Sequence, residues 1–189
     1  MCLNNCKEVN NETDITCYKY VKIRPNIDGQ FTIASPVYEN FTWAIGFCAH
    51  SVPAASHYPD NNVNAYIGKG FFHTLESYYT AVREARRNGT YNDRMAVVEC
   101  TIPKSATVYS GFVNGLITGG YASTSLMVNR IVYLDKPEYN RKWYKGLSRK
   151  IEEYKNYRKQ MKVFNRIKNY FSLNEINCRF DPEEDMIHK

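Results

Sequence analysis

The sequence lacks any run of about eighteen apolar residues, which excludes a segment that reads as a membrane-spanning helix. Its opening stretch, MCLNNCKEVNNETD, has no apolar core of a secretory signal, so secretion is not expected. Cysteine is present at positions 2, 6, 17, 48, 100 and 178, but no paired CxxC occurs and the Cys2–Cys6–Cys17 spacing fits no zinc pattern. Neither a metal site nor a disulfide framework is therefore expected. Cys48 and Cys100 sit in apolar runs and read as core residues. No internal repeat is present, and Gly68 and Gly70 lack both the third glycine of a dinucleotide fingerprint and the Lys-Ser/Thr of a P-loop.

What is present is a folding composition. The 189 residues are 43% hydrophobic and 14% aromatic, and 16 are tyrosine, a residue that buries a ring while keeping a hydroxyl for a partner. The net charge of +6 is unevenly spread. Between Arg141 and Lys168 the local balance is +9, from 11 basic and 2 acidic residues, which leaves −3 elsewhere.

Residues 1–16 read as a flexible leader, 17–136 as an α+β core domain, 137–172 as a basic amphipathic helical arm and 173–189 as an acidic tail. Within the core, Cys17–Ile23 alternates and reads as a strand, and FTIAS as its return after the Asp28-Gly29 turn. The continuously apolar Phe41–Ala49 reads as a buried strand, and residues 50–64 as loop. Thr74–Asn88 reads as a helix capped by Thr74, with Leu75, Tyr78, Tyr79, Val82 and Ala85 on one face and Gly89 beyond its end. Met95–Ile102, TVYSGFV and YASTSLMVNRIVYL supply three further strands. These elements give one twisted sheet, mixed or antiparallel, against one core helix.

Three segments, GKGFFHTLESYYTAV, VVECTIPKSATVYSG and GYASTSLMVNRIVYL, resemble small proteins of bacterial phages and mobile elements. The same layout is similar to the split sheet of ADP-ribosyltransferase-like proteins, over about residues 17–134. That likeness implies a cleft for NAD. It places Arg24, His73 and Ser123 in catalytic positions and Gly70, Phe72, Thr124 and Ser125 around the cofactor. The sequence departs from the family where a late glutamate is expected, the first being Glu138 beyond Pro137, and where a tyrosine is expected near Phe71 or Phe72. A transferase lacking that carboxylate has nothing to stabilise an oxocarbenium-like transition state.

Read from the residues alone, His73 is either a base at a helix N-terminus or a hydrogen-bonding residue in a strand-to-helix joint. His50 and His57 read as solvated or turn-bonded. In the arm, Trp143, Leu147, Tyr154, Tyr157, Met161, Phe164 and Phe171 recur at heptad-like spacing, and Arg149, Lys155, Arg158, Lys159, Lys162 and Arg166 lie off that stripe. Residues 138–171 are expected to form a helix that projects a positive face. Its partner is another protein, a second copy of the chain, or nucleic acid. The expectation is a non-enzymatic binding or assembly protein without a cofactor, cytoplasmic or virion-associated. The alternatives are an NAD-using transferase and a nucleic-acid-binding accessory protein.

Overall fold

The computed structural model describes residues 3–36, 41–54, 67, 70–89, 94–113, 118–137 and 147–173, with the side chains of 147–149 excepted. Among the described residues ten strands and two helices follow in the order β1 (Leu3–Val9), β2 (Ile15–Pro25), β3 (Phe31–Ala34), β4 (Thr42–Trp43), β5 (Cys48–His50), β6 (Phe72–Leu75), α1 (Tyr78–Asn88), β7 (Arg94–Ile102), β8 (Val108–Val113), β9 (Gly119–Ser123), β10 (Ser125–Leu134) and α2 (Leu147–Tyr170). The class is α+β. All named strand pairs are antiparallel, in the order β1-β8-β9-β6-β2-β7-β10-β5, with β3 and β4 branching from β2.

β2 holds this sheet together, and its alternation explains why. Cys17, Val21 and Ile23 point to one core; Tyr18 and Tyr20 pack against the other. β7 repeats the pattern, with Ala96, Val98, Cys100 and Ile102 on the first face and Met95 and Val97 on the second. The second face is covered by α1 through Ala81, Val82 and Ala85. In β10 the register shifts after Val128 and again after Ile131, so Leu126, Val128, Ile131 and Leu134 all reach the first face despite their uneven spacing.

The structure corrects several expectations. The leader is not loose: Leu3–Val9 pairs with β8, and Leu3 is fully buried with Ile67, Phe71 and Tyr109. Phe41–Ala49 is not one buried strand but two short ones. Gly46, at φ 81°, takes a left-handed conformation that breaks the run, leaving Phe47 and Cys48 exposed. The first helix starts at Tyr78, not Thr74, and is capped by Ser77, whose Oγ accepts from the Thr80 amide at 3.4 Å. Thr74 and Leu75 are instead strand residues opposite Tyr121 and Gly120, so pairing outweighs capping there. Gly89 has an ordinary negative φ of −66°. YASTSLMVNRIVYL is two strands divided at Thr124.

α2 does not stand clear of the core along its whole length. Phe164 and Ile167 are buried in the first-face core, joined there by Met161, Val163, Phe171 and Leu173. Ile167, absent from the heptad-like stripe, is more deeply buried than any stripe member described. Arg166 stacks over Phe31 at 5.6 Å and donates to the Gly29 carbonyl, and Tyr170 meets Phe31 edge-on. The helix ends in a closing turn: Ser172 adopts φ 52°, and the amides of Ser172 and Leu173 donate to the carbonyls of Asn169 and Lys168. Ile151, towards the helix start, is half exposed. Trp143 and the acidic tail lie outside the described residues.

This docking has a measurable consequence. Phe164→Ala is expected to lower unfolding free energy by about 3–5 kcal/mol, as for a buried aromatic in a core. Ile151→Ala is expected to change it by no more than about 0.5 kcal/mol. Denaturant titration of both variants checks this; equal small effects would mean that the second half of α2 is not part of the core.

Candidate functional site: a cavity where the sheet parts

One edge of β2 pairs with β7 without interruption from Ile15 to Ile23. The other edge is divided. β6 pairs with it at Tyr18, through Leu75, and β3 pairs with it from Lys22 to Pro25. Between them, at Lys19 to Val21, the two flanking strands diverge. A cavity of about 280 Å³ opens there. Its walls come from β2, from the β3–β4 region, from β5 and the residue after it, and from the Gly70–His73 segment entering β6.

One wall is aromatic. Phe41, Trp43 and Phe72 make a closed triangle of ring contacts, with centroids 4.6, 5.1 and 5.5 Å apart in edge or tilted geometry. Trp43 is 7% exposed, and its Nε1–H has no hydrogen-bond partner among the described residues. A buried indole donor without an acceptor is costly, by about 1–3 kcal/mol.

Lys19 belongs to the same cavity. Strand alternation puts it between Cys17 and Val21 on the core face, where an apolar side chain is the rule. It is 8% exposed. Its Nζ donates to the His73 carbonyl at 2.6 Å, close to where β2–β6 pairing has run out, and lies 5.9 Å from the centroid of the Trp43 ring. A charged hydrogen bond contributes about 1.5–3 kcal/mol and a cation–ring contact about 0.5–2 kcal/mol. Burying a lone ammonium costs several kcal/mol even after relaxation. Desolvation wins, and the Lys19 amine is held below its ordinary value of 10.5. The groups that act on it electrostatically are Cys17 and Cys100, which favour its charged form. Burial, however, pushes the Cys17 thiol up to about 12 and the Cys100 thiol well up too, so both stay neutral and neither is a counter-ion. No described lining residue is a carboxylate.

The two halves of the sheet meet beside this cavity. β9 belongs to the half with β1, β8 and β6, and β10 to the half with β7 and β5, so Ser123-Thr124-Ser125 crosses from one to the other. The crossing is tied down: Ser123 Oγ donates to the Ser125 carbonyl, Thr124 Oγ1 accepts from the Thr107 amide, and the Thr124 carbonyl accepts from the Ser51 amide. Ser125 Oγ is 2.9 Å from His50 Nδ1, within hydrogen-bond reach. Ser51 Oγ donates to the Gly70 carbonyl, and Gly70 adopts φ 80°.

The cavity thus brings together Gly70, Phe72 and His73 from the expected set. It adds Lys19, Phe41, Trp43, His50 and Ser51. Ser125 sits behind His50, and Thr124 behind Ser51. Arg24 and Ser123 are not on its walls: Arg24 lies opposite Thr32 in the β2–β3 ladder, and Ser123 is fully buried. His73 is a strand residue, 4% exposed, opposite Ala122, rather than a group at the helix N-terminus. His50, expected to be solvated or turn-bonded, is an exposed wall residue. His57 lies outside the described residues. The sequence marks Lys19 only as an interruption of the apolar stripe of CYKYVKI.

A second feature is the outer face of α2. Lys155, Arg158, Lys159, Lys162 and Arg166 are all exposed. At the helical repeat their spacing keeps them within about a third of a turn, opposite buried Phe164. Arg149 is in the first turn, its side chain outside the described residues.

Among the described residues no cluster of three metal-ligand side chains occurs, and no helix is long and apolar enough to cross a membrane. Comparison with family models, curated proteins and solved structures finds no match.

The buried amine sets a pH dependence. A lysine whose folded pKa is lowered binds fewer protons folded than unfolded between that value and 10.5, so its contribution to stability rises with pH across this window. Lys19→Met removes the contribution. The stability of wild type relative to Lys19→Met is expected to increase with alkaline pH, by at most about 1.4 kcal/mol per pH unit. Urea unfolding of both proteins along a pH series checks the sign; a flat difference would show Lys19 titrating normally.

Proposed function

We propose that this is a binding protein whose central cavity receives a small flat molecule carrying an anionic or hydrogen-bond-accepting group. The observation that carries this reading is Lys19, an amine buried in an aromatic-walled cavity with no carboxylate in its described lining. An anionic or hydrogen-bond-accepting group entering the cavity pairs with that amine, and a flat ring finds aromatic partners at the wall. The buried Trp43 donor supports the same reading, since an acceptor on the ligand satisfies it. Cavities of this kind, mostly apolar with a few convergent polar groups, are the usual form of small-molecule sites.

An NAD-using transferase is a second reading. The convergence of Gly70–His73 and the Ser123–Ser125 crossing at a parting of the sheet favours it. That Arg24 and Ser123 are not on the cavity wall, and that no described wall residue is a carboxylate, weigh against catalysis, though not against binding.

The cationic face of α2 adds a separate surface. We assign to it an anionic macromolecule bound through displaced counterions, in the first instance a nucleic-acid backbone. Because the apolar side of the second half of the helix is committed to the core, that half is not free for self-association through Phe164.

Two measurements test this. Nicotinate, benzoate and NAD are titrated at millimolar concentration while the melting temperature and the fluorescence of Trp43 are followed in a Trp143→Phe background. At a hundredfold excess over Kd a native-state ligand stabilises by about 2.7 kcal/mol. Stabilisation and altered Trp43 emission with the small anions are expected, both abolished in Lys19→Met. Release of nicotinamide from NAD would favour the transferase, and no response to any probe would remove the cavity from function. For the helix, changing Lys155, Arg158, Lys159 and Lys162 together to Gln is expected to leave the melting temperature unchanged. It should also flatten the salt dependence of duplex DNA binding, by about one unit of slope for each phosphate that is no longer neutralised. Unaltered binding would exclude this face.

A further inference from the structure

We propose that Lys19 is a nucleophilic amine and that the cavity captures an aromatic aldehyde as a reversible imine. This deepens the cavity reading and rests on it. Three features of the structure carry the inference. First, Lys19 is held on a strand, with Nζ fixed on the His73 carbonyl, so its position does not depend on a loop. Second, its side chain shares the cavity with the Phe41–Trp43–Phe72 triangle, a wall suited to an aromatic ring. Third, among the described residues the titratable groups that face it, Cys17 on its own strand, Cys100 on β7, His73 on β6 and His50 on β5, include no carboxylate to hold it as an ion pair. Desolvation therefore favours the neutral amine, the form with a lone pair to donate.

The chemistry balances without an oxidant or reductant. The Nζ lone pair attacks the aldehyde carbon and a C–N bond forms. The C=O π pair moves to oxygen, which takes a proton, while nitrogen loses one, to give a carbinolamine. Protonation of its hydroxyl and departure of water, with the nitrogen lone pair closing to C=N and loss of the remaining N–H proton, leaves the imine. The net change is amine plus aldehyde to imine plus water. His50 and His73 line the same cavity.

The test uses the full chain, benzaldehyde as the carbonyl probe and benzyl alcohol as an isostere that cannot form an imine. Protein is incubated with benzaldehyde and cyanoborohydride, which reduces an imine to a stable secondary amine, and the adducts are mapped by peptide mass spectrometry. Lys19 is expected to be labelled about tenfold or more faster than any exposed lysine, Lys155 and Lys162 serving as references in the same sample. Lys19→Met is expected to lose that adduct. The internal comparison needs no variant, so a Lys19→Met protein that fails to fold does not spare the proposal. Labelling of Lys19 no faster than Lys155 or Lys162 overturns it. If benzyl alcohol and benzaldehyde then raise the melting temperature equally, the cavity stands as a non-covalent site and the imine alone falls. If neither they nor benzoate does, the cavity reading falls with it.

Discussion

The continuous pairing of β2 with β7 is the constraint on which the rest of the molecule depends. The pairing runs unbroken from Ile15 to Ile23, and the two strands share the same alternation, so one strand presents apolar side chains to both cores at once. The second edge of β2 then has to serve two clients. β6 takes Tyr18 and the half-sheet behind it; β3 takes Lys22 to Pro25. No described strand serves both places, because β3 and β6 diverge. The parting at Lys19 follows from that geometry, and so does the cavity.

A gap in a sheet leaves polar backbone groups to be satisfied by other means. Lys19 performs part of that work by donating to the His73 carbonyl. The arrangement sets a satisfied carbonyl against the larger cost of a buried amine with no opposing charge among the described lining residues. Stability alone does not demand this, since apolar residues fill the neighbouring core positions Cys17 and Val21. A residue that breaks the pattern of its own strand in the wall of a cavity is where function is best sought.

The two helices divide the work of covering the sheet. α1 closes one face with small residues, Ala81 and Ala85, which let it approach closely. α2 closes part of the other with Phe164 and Ile167, and turns its lysines and arginines outwards. Its two properties therefore belong to different partners. The apolar side is satisfied inside the chain, whereas the charge has no such use: Arg166 alone of the cationic row makes a described contact with the core, at the β2–β3 turn.

Local pattern was enough to establish the class, most of the strands and the second helix, because period-two and period-3.6 repeats are properties of CYKYVKI, MAVVECTI and the segment after Leu147 themselves. The charge asymmetry of the C-terminal region is likewise plain in the order of residues. Where Phe41–Ala49 would break was not, since a run of apolar residues has no period and only Gly46 marks the turn. Nor was it evident that the leader is a strand, for Leu3 is buried only because β8 and Ile67 come to meet it. The site was legible in part. Gly70, Phe72 and His73 could be picked out by motif, but Trp43, His50 and Lys19 join them only through strand order. That order brings residues far apart in the chain to one parting of the sheet, and pairing at long range leaves no mark on local pattern. The burial of Lys19 with no carboxylate in the described lining is a product of the fold, and burial is what converts an ordinary lysine into a candidate for chemistry.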